Sequence, residues 1–250
     1  MIKVFDILDF LNQACPFGLA EEWDNAGLNL GRAGAKVEKV LLALDADESA
    51  ILTAKEQGCQ LLLTHHPLLF DPLRQITDGT PAGHKALLLA ESGIAHIACH
   101  TNLDAAQGGV NDHLAACCGM EHPEPFEGLG RMGDLEIEAF ALIGRLKERL
   151  PAKTCMGVIH HSQIHRAALV GGSGGSMLQA AWEQGCDTFI TGEAKHDHAL
   201  FARDHGMNLL ILGHYETEYI VLEPLKAALE EHFEGLECLL MPHRPVLEQF

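Results

Sequence analysis

Aromatic residues are scarce in this chain, at 6%, with 2 Trp and 2 Tyr among 250 residues. Its core must therefore be aliphatic. Basic residues are scarce too: 17 Lys and Arg stand against 35 Asp and Glu, a formal net charge of −18 with His neutral. A uniformly acidic surface repels phosphate backbones, so nucleic acid is not the expected partner. No apolar run approaches the ~20 residues a membrane helix needs. The first residues, Met1-Ile2-Lys3-Val4-Phe5-Asp6, bring in acid early and lack the apolar stretch of a signal peptide. Among the 8 cysteines no CxxC pair occurs, which removes the commonest thiolate motif. Several, Cys99 among them, lie inside apolar segments, as buried free thiols of a reducing compartment do. A cytoplasmic globular protein with no membrane partner is expected. What the chain has in excess is histidine, 16 residues.

A hydrophobic content of 47% is ordinary for a globular protein, and the length suits one large domain or two small ones. The order of segments predicts alternating strands and helices. A helix at 3–14 precedes the loop Glu21–Leu28, which leads into a short strand. Strands at 40–44, 60–64 and 94–99 alternate with helices at 48–57 and 82–92, and a helix follows Gly108-Gly109 to about Cys118. Glu121-His122-Pro123-Glu124-Pro125 reads as a connector. Beyond it come strands near 129–134, 154–159, 166–170, 187–191, 208–212 and 237–240, and helices at 137–149, 176–184, 195–204 and 215–232. This alternation defines an α/β class.

An internal repeat organises the pattern. Shifted by 127 positions without a gap, Val40–Thr64 falls on Ala167–Thr191, and Glu56-Gln57-Gly58-Cys59 meets Glu183-Gln184-Gly185-Cys186. Leu42, Ser49, Ala54 and Thr64 also meet identical residues. Duplication predicts two similar α/β halves, 1–125 with the N-terminal helix and 126–250, with a metal site in the cleft between them.

The chemistry-bearing residues stand after apolar runs. Leu61-Leu62-Leu63-Thr64 ends in His65-His66, the next apolar run ends in His100-Thr101-Asn102-Leu103-Asp104, and a later one in His214-Tyr215-Glu216-Thr217-Glu218. Strand ends are where α/β proteins build their sites. Adjacent residues of an extended chain point to opposite sides, so His65 and His66 can serve two different ions. His214 and Glu218 are four apart and share a helix face. One such pair alone is only a helix-surface contact; two of them beside a histidine doublet favour metal. Nitrogen and oxygen ligands without thiolate suit Zn, Fe, Mn, Co or Ni. Bridging carboxylates bring two dications to about 3.5–4 Å, where they share and acidify a water.

Other motifs carry less. His160-His161 is a second doublet, but no carboxylate lies near it. Gly171–Gly175 is neither GxGxxG nor a Walker loop; a tight strand-to-helix turn is the better reading, with substrate phosphate the alternative. The repeat places Glu193 where the first copy has His66, so Glu193 is an acid/base candidate or merely a helix N-terminal acid. Trp23-Asp24-Asn25 either lines the site or caps a turn.

Trp23-Asp24-Asn25-x-Gly27-Leu28, Thr64-His65-His66-Pro67, His100-x-Asn102-Leu103-Asp104, Thr191-Gly192-Glu193 and His214-x-x-x-Glu218 together resemble the NGG-interacting-factor-like family, named GTP cyclohydrolase I type 2 homologues. The match spans nearly the whole chain in the family's order. The resemblance implies two divalent metal ions held by His65, His66, Asp104, His214 and Glu218, with His100 close by. It also implies a toroidal homohexamer, a trimer of dimers, in the compact form without an inserted middle domain.

The function expected is a metal-dependent hydrolase acting on a small molecule, a nucleotide or a phosphoester, with Glu193 and His100 as catalytic candidates. The alternative is a non-catalytic metal-binding, regulatory or carrier ring. Basic residues near the ligands are few, Lys195 and Arg131, and that scarcity keeps the alternative in play.

Overall fold

The computed structural model describes residues 1–247, which group into two compact units. The first comprises residues 1–106 and 222–243, the second 107–221 and the remaining C-terminal residues. The first opens with helix α1 (Val4–Ala14) and continues through β1 (Gly27–Leu30), β2 (Lys39–Ala43), α2 (Glu48–Glu56), β3 (Leu61–Thr64), α3 (Pro81–Ser92), β4 (Ala95–Ala98) and α4 (Thr101–Ala105). The second carries α5 (Val110–Cys118), β5 (Glu124–Phe126), β6 (Gly130–Glu138), α6 (Ala139–Arg149), β7 (Met156–Val158), β8 (Gln163–Val170), α7 (Leu178–Glu183), β9 (Thr188–Thr191), α8 (His196–Asp204), β10 (Asn208–Ile211) and α9 (His214–Glu218). The chain then returns to the first unit with α10 (Leu222–His232) and β11 (Glu237–Leu240).

The first sheet has the order β1-β4-β3-β2-β11. β2, β3, β4 and β11 run parallel, and β1 closes one edge antiparallel to β4. Every residue of β3 and β4 is buried, which is why these strands read as apolar runs, interrupted in β4 by His96, rather than as alternation. Helix starts and stops are locally encoded. Asp47 accepts a hydrogen bond from Ala50 N to cap α2, and Thr80 caps α3, whose first residue is Pro81.

The second sheet has the order β5-β6-β8-β9-β10-β7, with β8, β9 and β10 parallel at its centre. Its strands sort their side chains by the period of two. Ala167, Leu169, Ile190 and Leu210 pack with Leu114 and Leu142 in one apolar layer. Ala168, Val170, Phe189 and Leu209 pack with Leu178, Ala181 and Ala202 in another.

The repeat seen in the sequence has a counterpart in register. β2 pairs with β3 through Val40↔Leu61 to Ala43↔Thr64, and β8 pairs with β9 through Ala167↔Thr188 to Val170↔Thr191. Each pair maps onto the other under the shift of 127 positions.

Three sequence expectations need correction. The boundary near residue 125 is not where the chain divides, because β11 pairs parallel with β2 and takes α10 with it into the first unit. The helix expected over 215–232 is two helices separated by a 3₁₀ turn, Tyr219–Val221. Pro224 has no N–H to give the carbonyl of Ile220, so a continuous helix cannot cross that point. The connector 121–125 contributes to β5, which pairs with β6 as the sheet's outer strand.

Candidate metal centre

In the first unit the carboxyl ends of β2, β3 and β4 lie side by side, and Asp45, His65-His66 and His100 follow them. His65 and His66 lean toward opposite neighbours. His65 Nδ1 lies 2.8 Å from the Cys99 carbonyl beyond β4, whereas His66 Nδ1 lies 2.8 Å from Asp45 Oδ1 beyond β2. The pairing Gly27↔Ala98 brings the loop before β1 to the end of β4, where Asp24 Oδ1 meets His100 Nδ1 at 2.8 Å. The other Asp24 oxygen accepts from the Thr101 N–H at 3.0 Å and from the Thr101 hydroxyl. Burial works to raise the Asp24 pKa, but hydrogen bonds from His100 and Thr101 outweigh it and bring the carboxyl down to about 2.

All three imidazoles therefore face a pure acceptor at Nδ1. A neutral imidazole so placed carries its proton on Nδ1 and keeps its lone pair on Nε2. One ligand atom from each of His65, His66 and His100 lies within 4.8 Å of the others. Asp104, one helical turn after His100, brings its Oδ1 to 3.6 Å from His65 Nε2. The turn that carries it is fixed by Asn102, fully buried, whose Nδ2 donates to the Cys15 carbonyl at the end of α1.

In the second unit His214 and Glu218 stand on α9, just beyond β10. His214 Nε2 lies 3.2 Å from Glu218 Oε2, and its Nδ1 lies 3.3 Å from Glu193 Oε2. The imidazole is thus bracketed by two carboxylates. Glycines at three neighbouring strand ends make room for it. A Cβ at Gly172 would collide with Glu218 Oε1, and would stand 3.0 Å from Glu218 Cδ and 3.2 Å from His214 Nε2. A Cβ at Gly192 would meet the Gly172 carbonyl and Thr217 Oγ1, both at 2.7 Å. Gly213 adopts φ +100 as it turns the chain into α9.

The Gly171–Gly175 loop is therefore a packing element against His214 and Glu218. The N–H groups of its four glycines are taken up within the protein: Gly171 N donates to Asn111 Oδ1, Gly172 N to Thr217 Oγ1, Gly174 N to Thr191 Oγ1 and Gly175 N to the Glu193 carbonyl. Arg131 is not presented to a substrate either. It is buried and bonds the Asp112 carboxylate and the Gly130 carbonyl. His160 and His161 both use their backbone N–H groups on Asn208 Oδ1, and their rings are exposed. Asp45 is the site residue that the motifs left without a role, and Asp24, expected to line the site or cap a turn, is the partner of His100. An acid just past the strand neighbouring a histidine strand end was the available signal for Asp45.

The donors are imidazole nitrogens and carboxylate oxygens without thiolate, a set that fits borderline and hard divalent cations. In each unit an imidazole lone pair faces a carboxylate oxygen. Two acceptors at such a distance are reconciled by a shared proton or cation. Within the first unit His65, His66 and His100 are grouped closely enough to hold a metal ion.

Fold and site define an α/β protein with a nitrogen- and oxygen-rich candidate metal centre. Over residues 2–245 the chain matches the family described as Duf34/NIF3 (NGG1p interacting factor 3), and it belongs to that family. A GTP cyclohydrolase 1 type 2 homolog of Clostridium perfringens is 33% identical over 245 residues, 94% of each chain. A Helicobacter pylori (strain J99) protein named GTP cyclohydrolase 1 type 2 is 32% identical over 224 residues, 87% of this chain and 88% of that one. Among solved structures, Staphylococcus aureus protein SA1388 superposes with TM-score 0.89 at 27% identity, covering 100% of this chain and 99% of its own. Reduced HcgD from Methanocaldococcus jannaschii gives TM-score 0.88 at 29% identity, covering 97% and 98%.

Proposed function

We propose that the chain holds two divalent metal ions through His65, His66, Asp104, His214 and Glu218 and is a metal-dependent hydrolase of a nucleotide or phosphoester. One observation carries the metal reading. His65, His66 and His100 each have Nδ1 at 2.8 Å from a carbonyl or carboxylate oxygen, and His214 Nδ1 has Glu193 at 3.3 Å. Metal-ligating histidines are held in this way by outer acceptors that fix the tautomer and raise the basicity of the ligating nitrogen. Bound ions would supply Lewis acidity and lower the pKa of a water. The residues supply position. Asp24, Asp45 and the Cys99 carbonyl orient the imidazoles, and Glu193 orients His214 while remaining exposed enough to exchange a proton with solvent.

Nucleotide as substrate is supported by the names of the relatives and is part of the same proposal, as is the toroidal homohexamer. A reducing, cytoplasmic location is supported by the 8 cysteines, all free thiols. No helix among the described residues is long and apolar enough to cross a membrane. The scarcity of basic side chains favours a second reading, a metal-binding or carrier protein without turnover.

Elemental analysis of the purified protein tests the first part, with two ions per chain expected. His65→Ala combined with Glu218→Ala should abolish binding, and retained metal would overturn the site. GTP and model phosphodiesters offered to the Mn- or Fe-loaded protein test the second part. Full occupancy without turnover on any of them would favour the carrier.

A further inference from the structure

Large aromatic side chains are few here; Phe5, Phe140 and Trp182 are exposed, while Phe126 and Phe189 are buried. Trp23 and Phe70 are not, at 56% and 49% exposed. They stand together, ring centroids 5.6 Å apart and inclined by 47°. Both also meet the ring of His100 edge-on, Trp23 at 5.9 Å and Phe70 at 6.2 Å. His100 in turn lies 5.2 Å from the His65 ring and 5.5 Å from that of His66. An exposed aromatic pair thus continues the imidazole cluster outward by one ring's width.

The pair is held in place by its neighbours rather than by its own burial. Asp24, next to Trp23, is tied to His100 and Thr101. Asn25 Nδ2 donates to the carbonyl of Leu69, the residue before Phe70, clipping the two loops together. A fixed, solvent-facing aromatic surface loses little entropy on binding a flat partner. Phosphate recognition is left to Lys195 and to any bound metal, because the N–H groups of the loop's glycines are taken up within the protein and Arg131 is turned inward onto Asp112. Recognition of a ring has two exposed π-faces.

The geometry points to Trp23 and Phe70 as a stacking platform for the planar heteroaromatic ring, of nucleobase type, of this protein's small-molecule ligand. The platform sets that ring beside His100. This deepens the proposed nucleotide chemistry and rests on it for the choice of ring. Base–aromatic stacking is tolerant of base identity because every base presents a π-face. The ring, rather than the phosphates, is then the main handle on the substrate.

The platform is tested by fluorescence of the full-length, metal-analysed protein carrying Trp182→Phe, which leaves Trp23 as the sole tryptophan. Guanosine should quench it saturably, and ribose 5-phosphate, which lacks the ring, should not. Phe70→Ala should weaken guanosine binding about tenfold, from the stacking lost. Trp23→Leu should abolish binding in equilibrium dialysis while circular dichroism and metal content stay unchanged. Absence of a guanosine response in metal-replete protein overturns the platform and leaves the metal site standing. A response in protein stripped of its metal sustains the platform independently of the metal site. Sedimentation on the same samples covers one further outcome. If Trp23 fluorescence follows protein concentration and self-association and ignores guanosine, the pair is an interface between copies and the proposal is wrong.

Discussion

Substituting Gly172 by alanine adds one methyl group and separates two effects. Gly172 has φ +59, a left-handed conformation that costs an L-residue about 1–2 kcal/mol. The new Cβ would also land on Glu218 Oε1, closer than carbon and oxygen tolerate, with Glu218 Cδ at 3.0 Å and His214 Nε2 at 3.2 Å. Neither side has slack. Gly172 N is bonded to Thr217 Oγ1, which in turn donates to the carbonyls of Gly213 and His214, so the loop and α9 are stitched together. The carboxylate must move, whereas metal–ligand bonds hold to within ~0.2 Å. Disturbing an outer partner of a metal ligand typically costs 10–100-fold in affinity, and displacing the ligand itself should cost at least ~100-fold. Gly185→Ala is the control. It has φ +79 in the same unit and nothing within 4 Å of its Cβ. Both variants should lose the unfolding free energy of the backbone strain, Gly172→Ala losing about 1–3 kcal/mol more from the collision, and only Gly172→Ala should lose zinc in a competition titration against a chromophoric chelator. Affinity in Gly172→Ala within about threefold of the control would refute the placement of Glu218 as a ligand.

Two further outcomes rest on the outer acceptors and on a buried histidine. Asp45→Asn and Asp24→Asn should each lower metal affinity about 10–100-fold while the fold persists, as read by the same titration and by circular dichroism; unchanged affinity in both would remove the orienting role. His96 is fully buried, and burial, with repulsion from Lys85, pushes its pKa from 6.5 down to about 4. The unfolded chain therefore takes up a proton below pH 6.5 that the folded chain refuses until about pH 4. This contribution is intact above pH 6.5 and lost as pH falls, by about 3 kcal/mol at pH 4. Urea denaturation of His96→Gln and of the parent at pH 7 and pH 4.5 should show a shallower acid loss in the variant; equal losses would contradict the shift.

Much of this was legible because strand ends are marked by composition. Unbroken apolar runs such as Leu61–Leu63 become parallel strands buried on both faces, and the residues just past their ends are the ones the sheet presents. The histidines and the pair His214/Glu218 were visible for that reason. Asp45, and the pairing of Asp24 with His100, were not, because they depend on which strand lies beside which, and the order β1-β4-β3-β2 is a tertiary fact. The return of β11 to β2 was hidden for the same reason: no local signal in Glu237–Leu240 names its partner. The break before α10 was readable in principle, since Pro224 forbids the helix that apolar spacing suggested.

The two copies of the repeat also show why equivalent strand ends need not carry equivalent ligands. After β3 the chain presents His65-His66, two bulky rings, each oriented by an acceptor beyond a neighbouring strand. After β9 it presents Gly192-Glu193, and any side chain at 192 would strike the Gly172 carbonyl and Thr217. The first unit presents its candidate ligands His65 and His66 from the strand end itself. The second keeps position 192 bare, so that the candidate ligands of the next helix, His214 and Glu218, can lie against the backbone of the glycine loop. A histidine introduced at 192 to restore the symmetry would therefore displace α9 before it could bind anything. The glycines of the second unit are as much a part of the candidate centre as the histidines of the first.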